Sequence, residues 1–129
     1  MVAAMVLCLC SVAVTGALLQ LNRRAAISRV MNAAKAEALS RIHQVQQLSY
    51  DPDADPPEIP SLLTTNTTTT VELGSTDSTV NLGHIPATEI WTVGTVPGNA
   101  GIRSVDCKIS YRYMNRDETY EVFTYKAPN

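Results

Sequence analysis

The chain has 129 residues, with 10 Lys and Arg against 12 Asp and Glu and a formal net charge of −2. That balance leaves no basic footprint for nucleic acid, and cysteines only at positions 8, 10 and 107 exclude a C-x-x-C redox motif and a Cys/His metal spacing. The length allows one compact domain beyond the apolar stretch with which the chain begins.

Residues 1–21 carry no ionised side chain, and only Ser11, Thr15, Gly16 and Gln20 interrupt their apolar run. Wound as a helix rising about 1.5 Å per residue, such a run spans roughly 30 Å, the thickness of a bilayer's hydrocarbon core. The expectation is a transmembrane helix. A cleaved secretory signal, for which Thr15-Gly16-Ala17 would be the cleavage site, fits less well because no Lys or Arg precedes the run. Cys8 and Cys10 read as small hydrophobes within it. Arg23, Arg24 and Arg29 come directly after it, placed to snorkel to a headgroup boundary.

From Asn22 the composition turns polar, yet Ile27, Val30, Met31, Ala34, Ala38, Ile42, Val45 and Leu48 recur at spacings of three and four. That is one stripe of a 3.6-residue period. Alanines favour the helix, no Pro interrupts it, and Asp51-Pro52 stops it. The pattern predicts one helix over residues 1–49, apolar all round at first and amphipathic later. Ile27, Met31, Ala34, Ala38, Ile42 and Val45 are its expected packing face. Residues 50–63 read as an acidic, Pro-rich surface linker. Asp51, Asp53 and Asp55 alternate as calcium ligands do, but Pro56 stands where such a loop needs Gly and Leu62 where it needs an acid. A solvated acidic turn is the expectation.

Residues 64–129 read as a β head. The threonines around Asn66 have extended preference, and Asn66-Thr67-Thr68 fits a glycosylation acceptor that arises often by chance. Val71 and Leu73, Val80 and Leu82, and the stretch Ile90 to Val96 are short β segments parted by Gly74-Ser75, Gly83-His84, Gly94 and Pro97-Gly98. In the clearest strand, residues 103–113, Val105, Cys107, Ile109, Tyr111 and Tyr113 alternate with polar residues. Residues 114–117 make a hairpin turn and 118–125 return as the last strand, with Tyr120 and Val122 available for cross-strand contact. The fold class expected is α+β, a long helix packed on a small antiparallel sheet.

Nothing in this pattern converges on chemistry. His43 and His84 have no sequence partner that forms a triad or a metal site, and no nucleophile elbow, phosphate loop or dinucleotide fingerprint occurs. Trp91 reads as a packing residue. The expectation is a protein without catalysis, cofactor or metal.

The start Met1-Val2-Ala3-Ala4-Met5-Val6-Leu7, the helix end from Ala36-Glu37-Ala38 through Gln46-Gln47-Leu48 to Tyr50-Asp51-Pro52, and the closing strands Val105 to Tyr111 and Val122 to Tyr125 resemble the type IV pilin and pseudopilin family. The likeness is to its minor pilin and type II secretion branch. The resemblance implies a structural filament subunit, anchored by a single pass in a bacterial inner membrane with a periplasmic or extracellular head. Its implied partners are other pilin or pseudopilin subunits and inner-membrane lipid, with no nucleic acid bound directly. Ala3, Ala4, Leu7, Val14, Gly16, Ala17, Leu18 and Leu21 would form the membrane and assembly face, the small residues letting helices approach closely. The family's basic leader, cleaved Gly and Phe-Thr-Leu-x-Glu start do not occur in the sequence, nor does its head disulfide. Met1-Val2-Ala3-Ala4 is similar to the residues directly after that Glu in the family, so a leader cut by a prepilin peptidase is expected upstream of Met1. The competing expectation is a single-pass anchored β module that binds a partner without polymerising.

Overall fold

The computed structural model describes residues 2–74 and 84–128, apart from the side chains of Val2, Ala4, Val6 and Ala100. Helix α1 (Val2–Gln47) runs for 46 residues, about 69 Å at the standard rise. A 3-10 turn (Ser61–Leu63) precedes four strands, β1 (Thr67–Leu73), β2 (Ile85–Val96), β3 (Asn99–Tyr113) and β4 (Arg116–Lys126). The strands form one antiparallel sheet in the order β1-β2-β3-β4. The architecture is α+β, with the later half of α1 laid across one face of the sheet. The expected β segment at Val80 and Leu82 lies outside the described residues.

Strand alternation decides what faces the helix. On β2, Ile85, Ala87, Glu89 and Trp91 turn inward while Pro86, Thr88, Ile90 and Thr92 turn outward. On β3, Val105, Cys107, Ile109 and Tyr111 are buried, and Tyr113 packs half-covered at the margin. The helix meets them with Val30, Ala34, Ala38, Ile42 and Val45, all buried. Ala34 and Ala38 have no exposed surface, so α1 lies close to the sheet at its middle, with larger side chains interlocking at either end. Of the expected packing face, Ala34, Ala38, Ile42 and Val45 are in this core and Ile27 is half-buried at its margin. Met31 is a correction: it is 41% exposed. One helical step of about 100° separates it from Val30, and the seam takes Val30.

Gly94 does not break β2, as the expected segment boundary there required. It pairs with Ser104, and a Cβ at position 94 would stand 2.8 Å from Ser104 Oγ. The missing side chain therefore serves a close cross-strand approach. The real turn is Pro97-Gly98, with Gly98 at φ +82°, next to a register shift at Thr95/Val96. The β3–β4 hairpin closes in two residues, Met114 and Asn115, at φ 49° and 61°. Positive φ at both positions matches the right-handed strand twist.

The linker is a second correction. Far from lying wholly on the surface, Tyr50 and Leu63 are fully buried at its two ends. Asp51 and Glu58 exchange backbone hydrogen bonds across the acidic loop, at 3.0 and 2.9 Å. Trp91 Nε1 donates to Leu62 O at 2.9 Å, while the Asn66 side-chain oxygen accepts from Val93 N–H at 2.7 Å. The Leu62 carbonyl is thus satisfied from β2, and the Val93 amide of β2 is satisfied in return by Asn66.

Strand β4 runs in the same direction as α1. Lys126 Nζ donates to Gln46 O at 3.3 Å at one end, and Lys35 stands 5.7 Å over the Tyr120 ring midway. At the other end Met114 and Arg116 border a recess shared with Arg23 and Ile27. Lys126 thereby brings a cation to the negative end of a helix whose own last turn has no basic residue.

Candidate functional site

The head covers only the second half of α1. Every described residue from 3 to 21 is exposed, including Met5 at 72%, Leu7 at 71%, Val14 at 59%, Leu18 at 56% and Leu21 at 62%. Of the expected assembly face, Ala3, Leu7, Val14, Gly16, Ala17, Leu18 and Leu21 all lie on this bare helix end, and nothing stands within 4 Å of a Cβ built at Gly16. The side chain of Ala4 lies outside the described set.

The hydroxyls of this segment are turned inward onto its own backbone. Ser11 Oγ donates to Leu7 O, and Thr15 Oγ1 donates to Ser11 O at 2.8 Å. Each thereby spends its donor without an outside partner. The surface left is hydrocarbon, and burying a Leu, Val or Met side chain is worth about 1.5 to 3 kcal/mol. Across this segment the drive to leave water is roughly 10 kcal/mol or more. Among the described residues, no helix is long and apolar enough to cross a membrane. The fold gives the expected span over residues 1–21 no positive support of its own; it gives a bare apolar helix end.

A second cluster lies at the helix–sheet seam. Glu89, inward on β2 and 4% exposed, has Oε1 at 3.4 Å from Arg41 Nε, and Glu37 Oε1 lies at the same 3.4 Å from that atom. Neither Arg41 Nε nor Glu89 Oε2 has a hydrogen-bond partner. The pair borders a recess of about 170 Å3 with Gln44, Leu62, Thr67, Thr69 and Trp91. Cys107, paired across the ladder with Trp91, has its thiol pushed up to about 12 by burial and then by the Glu89 charge. A thiol held protonated and fully buried is neither a nucleophile nor accessible to a disulfide partner. This cluster ties α1 to β2. Sequence reasoning did not single out Arg41 or Glu89; the available signal was an acidic residue on the alternation Ile85, Ala87, Glu89, Trp91.

The remaining titratable groups do not converge. His43 is exposed on α1. His84 Nδ1 lies 2.7 Å from Glu72 Oε2 with both side chains in solvent. Asp51 uses a carboxylate oxygen to accept from Asp53 N–H at 3.1 Å, an Asx turn that gives the first of the alternating acids a local backbone role. Among the described residues, no three His, Cys, Asp or Glu side chains are placed to hold a metal.

Comparisons with protein-family models, with curated proteins and with solved structures returned no match.

Proposed function

We propose that this chain is a non-enzymatic structural subunit, membrane-anchored by residues 1–21 and assembled through the same helix into a filament of the type IV pilus or type II secretion pseudopilus kind. The observation that carries the reading is the bare end of α1. Exposed apolar side chains from Met5 to Leu21 have no cover within the chain, and the hydroxyls of Ser11 and Thr15 are satisfied by their own helix. In lipid such a helix loses no hydrogen bond. Against neighbouring copies, Gly16 and Ala17 allow backbones to approach, so subunits exchange lipid contact for helix contact. The sequence adds the absence of any ionised side chain before Arg23. Inner-membrane location and pilin-like partners belong to this proposal through the family resemblance.

A second reading, an anchored head that binds a partner without polymerising, has one observation in its favour. Phe123 and Tyr125 stand 69% and 59% exposed on edge strand β4, their rings 6.0 Å apart edge to face. Cysteine crosslinking in cells separates the two. With Cys8 and Cys10 replaced by Ala, Ala17→Cys and Ala4→Cys variants are oxidised in membranes. Ladders of crosslinked copies, or adducts with a major pilin, are expected for a filament subunit. A membrane-bound monomer that never crosslinks overturns polymerisation and favours the anchored module, and a chain absent from the membrane fraction overturns both.

A further inference from the structure

The β3–β4 hairpin and α1 meet where the apolar segment ends. Met114 and Arg116 share a recess of about 180 Å3 with Arg23 and Ile27. Along a helix axis, Arg23 lies about 3 Å and Ile27 about 9 Å beyond Leu21. A headgroup layer is roughly 5 to 8 Å deep on each side of the hydrocarbon. With residues 1–21 in the bilayer, the hairpin tip therefore falls in or just above the headgroups.

Charge and side-chain chemistry fit that depth. Arg23, Arg24, Arg29 and Lys35 precede the first acidic residue of the helix, Glu37, whereas Asp51, Asp53, Asp55 and Glu58 gather beyond the helix's far end. Along α1 and the loop that follows it the charge is thus polarised, positive beside the apolar segment, with exposed Glu118 two residues beyond Arg116 as the tip's unmatched acid among the described residues. Among the described residues, Arg23, Arg24, Arg29 and Arg116 make no ion pair, while the nearby Arg112 is matched by Asp117 at 3.7 Å. The tip itself carries Met114, 42% exposed at φ 49°. Asn or Gly holds such a turn position at lower conformational cost, so an apolar side chain stands there against local preference.

We infer that the β3–β4 hairpin tip is a membrane-contact element, with Met114 entering the interface and Arg116 joining Arg23, Arg24 and Arg29 to bind the phosphates of an anionic phospholipid surface. The inference rests on the proposed anchoring of residues 1–21 and adds a second point of attachment. Two points on one rigid seam fix the tilt and rotation of the head relative to the bilayer, which a single helix leaves free. Each arginine near an anionic surface changes docking about fivefold.

The test uses the full chain reconstituted in vesicles of phosphatidylcholine with or without phosphatidylglycerol. Cys8 and Cys10 are replaced by Ala, and Met114→Cys receives an environment-sensitive fluorophore; buried Cys107, its thiol held protonated, stays unlabelled. Quenching by a headgroup-bound nitroxide lipid reports the depth of the tip. Strong quenching with phosphatidylglycerol is expected, with the docking equilibrium constant falling roughly thirtyfold in Arg23→Gln/Arg116→Gln. A chain that floats with the vesicles but shows a quench-free label, indifferent to phosphatidylglycerol and to both arginines, overturns the inference and leaves the anchor standing. A chain that does not float with either vesicle overturns the anchor and the inference together. A label at Glu58→Cys, beyond the far end of α1, is expected to remain unquenched; equal quenching there would show a head lying flat and overturn the tip-first orientation.

Discussion

Replacing Arg41 by Met removes the cation that the structure places beside the carboxylate of Glu89, at 3.4 Å. At an effective dielectric of about 20, unit charges at that separation attract by about 5 kcal/mol. Desolvating Glu89, whose side chain is 5% exposed, offsets much of this, since the effective cost is several kcal/mol per buried ion. The intact pair therefore contributes little net stability, but breaking it from the arginine side leaves an uncompensated charge at the buried seam beside Trp91 and Cys107. A loss of about 3 kcal/mol is expected for Arg41→Met at pH 7, or roughly 12 to 24 °C in the melting temperature of a head of this size. The reverse truncation is asymmetric. Glu89→Leu leaves Arg41 with Glu37 at 3.4 Å and with solvent, its side chain being 37% exposed, so the cost is about 1 kcal/mol or less. The double variant Arg41→Met/Glu89→Leu is expected within about 1 kcal/mol of the parent. Urea unfolding of the full chain in mild detergent, followed by the fluorescence of Trp91, measures all three, because this sole tryptophan borders the same recess. If Arg41→Met costs less than about 0.5 kcal/mol, or the two single effects simply add, the seam is wet and the argument fails.

Three other outcomes are expected from the geometry. Lys126→Met should cost about 1 to 2 kcal/mol by removing the cation at the α1 C-terminus, and amide exchange should rise first in residues 43–47. Above pH 9 the head should lose stability. The native Cys107 thiol holds its proton up to about 12 whereas the unfolded thiol releases it near 9.0, so the unfolded state gains about 1.4 kcal/mol per pH unit between those values. Tyr111, raised above 10.0 by burial and Glu118, acts in the same direction, and Cys107→Ala should flatten the urea midpoint between pH 9 and 11 by the thiol's share. Asp106→Asn should stabilise at neutral pH by about 0.5 kcal/mol. Burial and the cross-strand Glu121 raise the Asp106 carboxyl, so its charged form is disfavoured in the fold and stability falls as pH rises through its titration; the variant's thermal melt at pH 7 measures the relief.

The elements themselves were legible in the sequence because their signals are local. A 3.6-residue stripe from Val30 to Val45 and alternation from Val105 to Tyr111 each state a period that backbone geometry must follow, and the expected turn over residues 114–117 tightens to Met114-Asn115, with Arg116 and Asp117 already in β4. Uncharged residues 1–21 likewise announce an apolar helix before any packing is known. Tertiary structure decided what those periods touch. Glu89 shares the inward alternation of Ile85, Ala87 and Trp91, but its partner Arg41 is set only when β2 pairs with β3 and that face meets α1. Tyr50 and Leu63 read as linker until Trp91 reaches the Leu62 carbonyl from about thirty residues away in the chain. Met31 and Val30 are equivalent in hydrophobicity, and only the angle at which α1 crosses the sheet selects Val30. The approach of Met114 and Arg116 to Arg23 is of the same kind, about ninety residues apart in sequence and joined by the register of β4 along α1. Periodicity fixes a residue's direction on its own element; its neighbour across the seam depends on how two elements share an interface, which no single segment encodes.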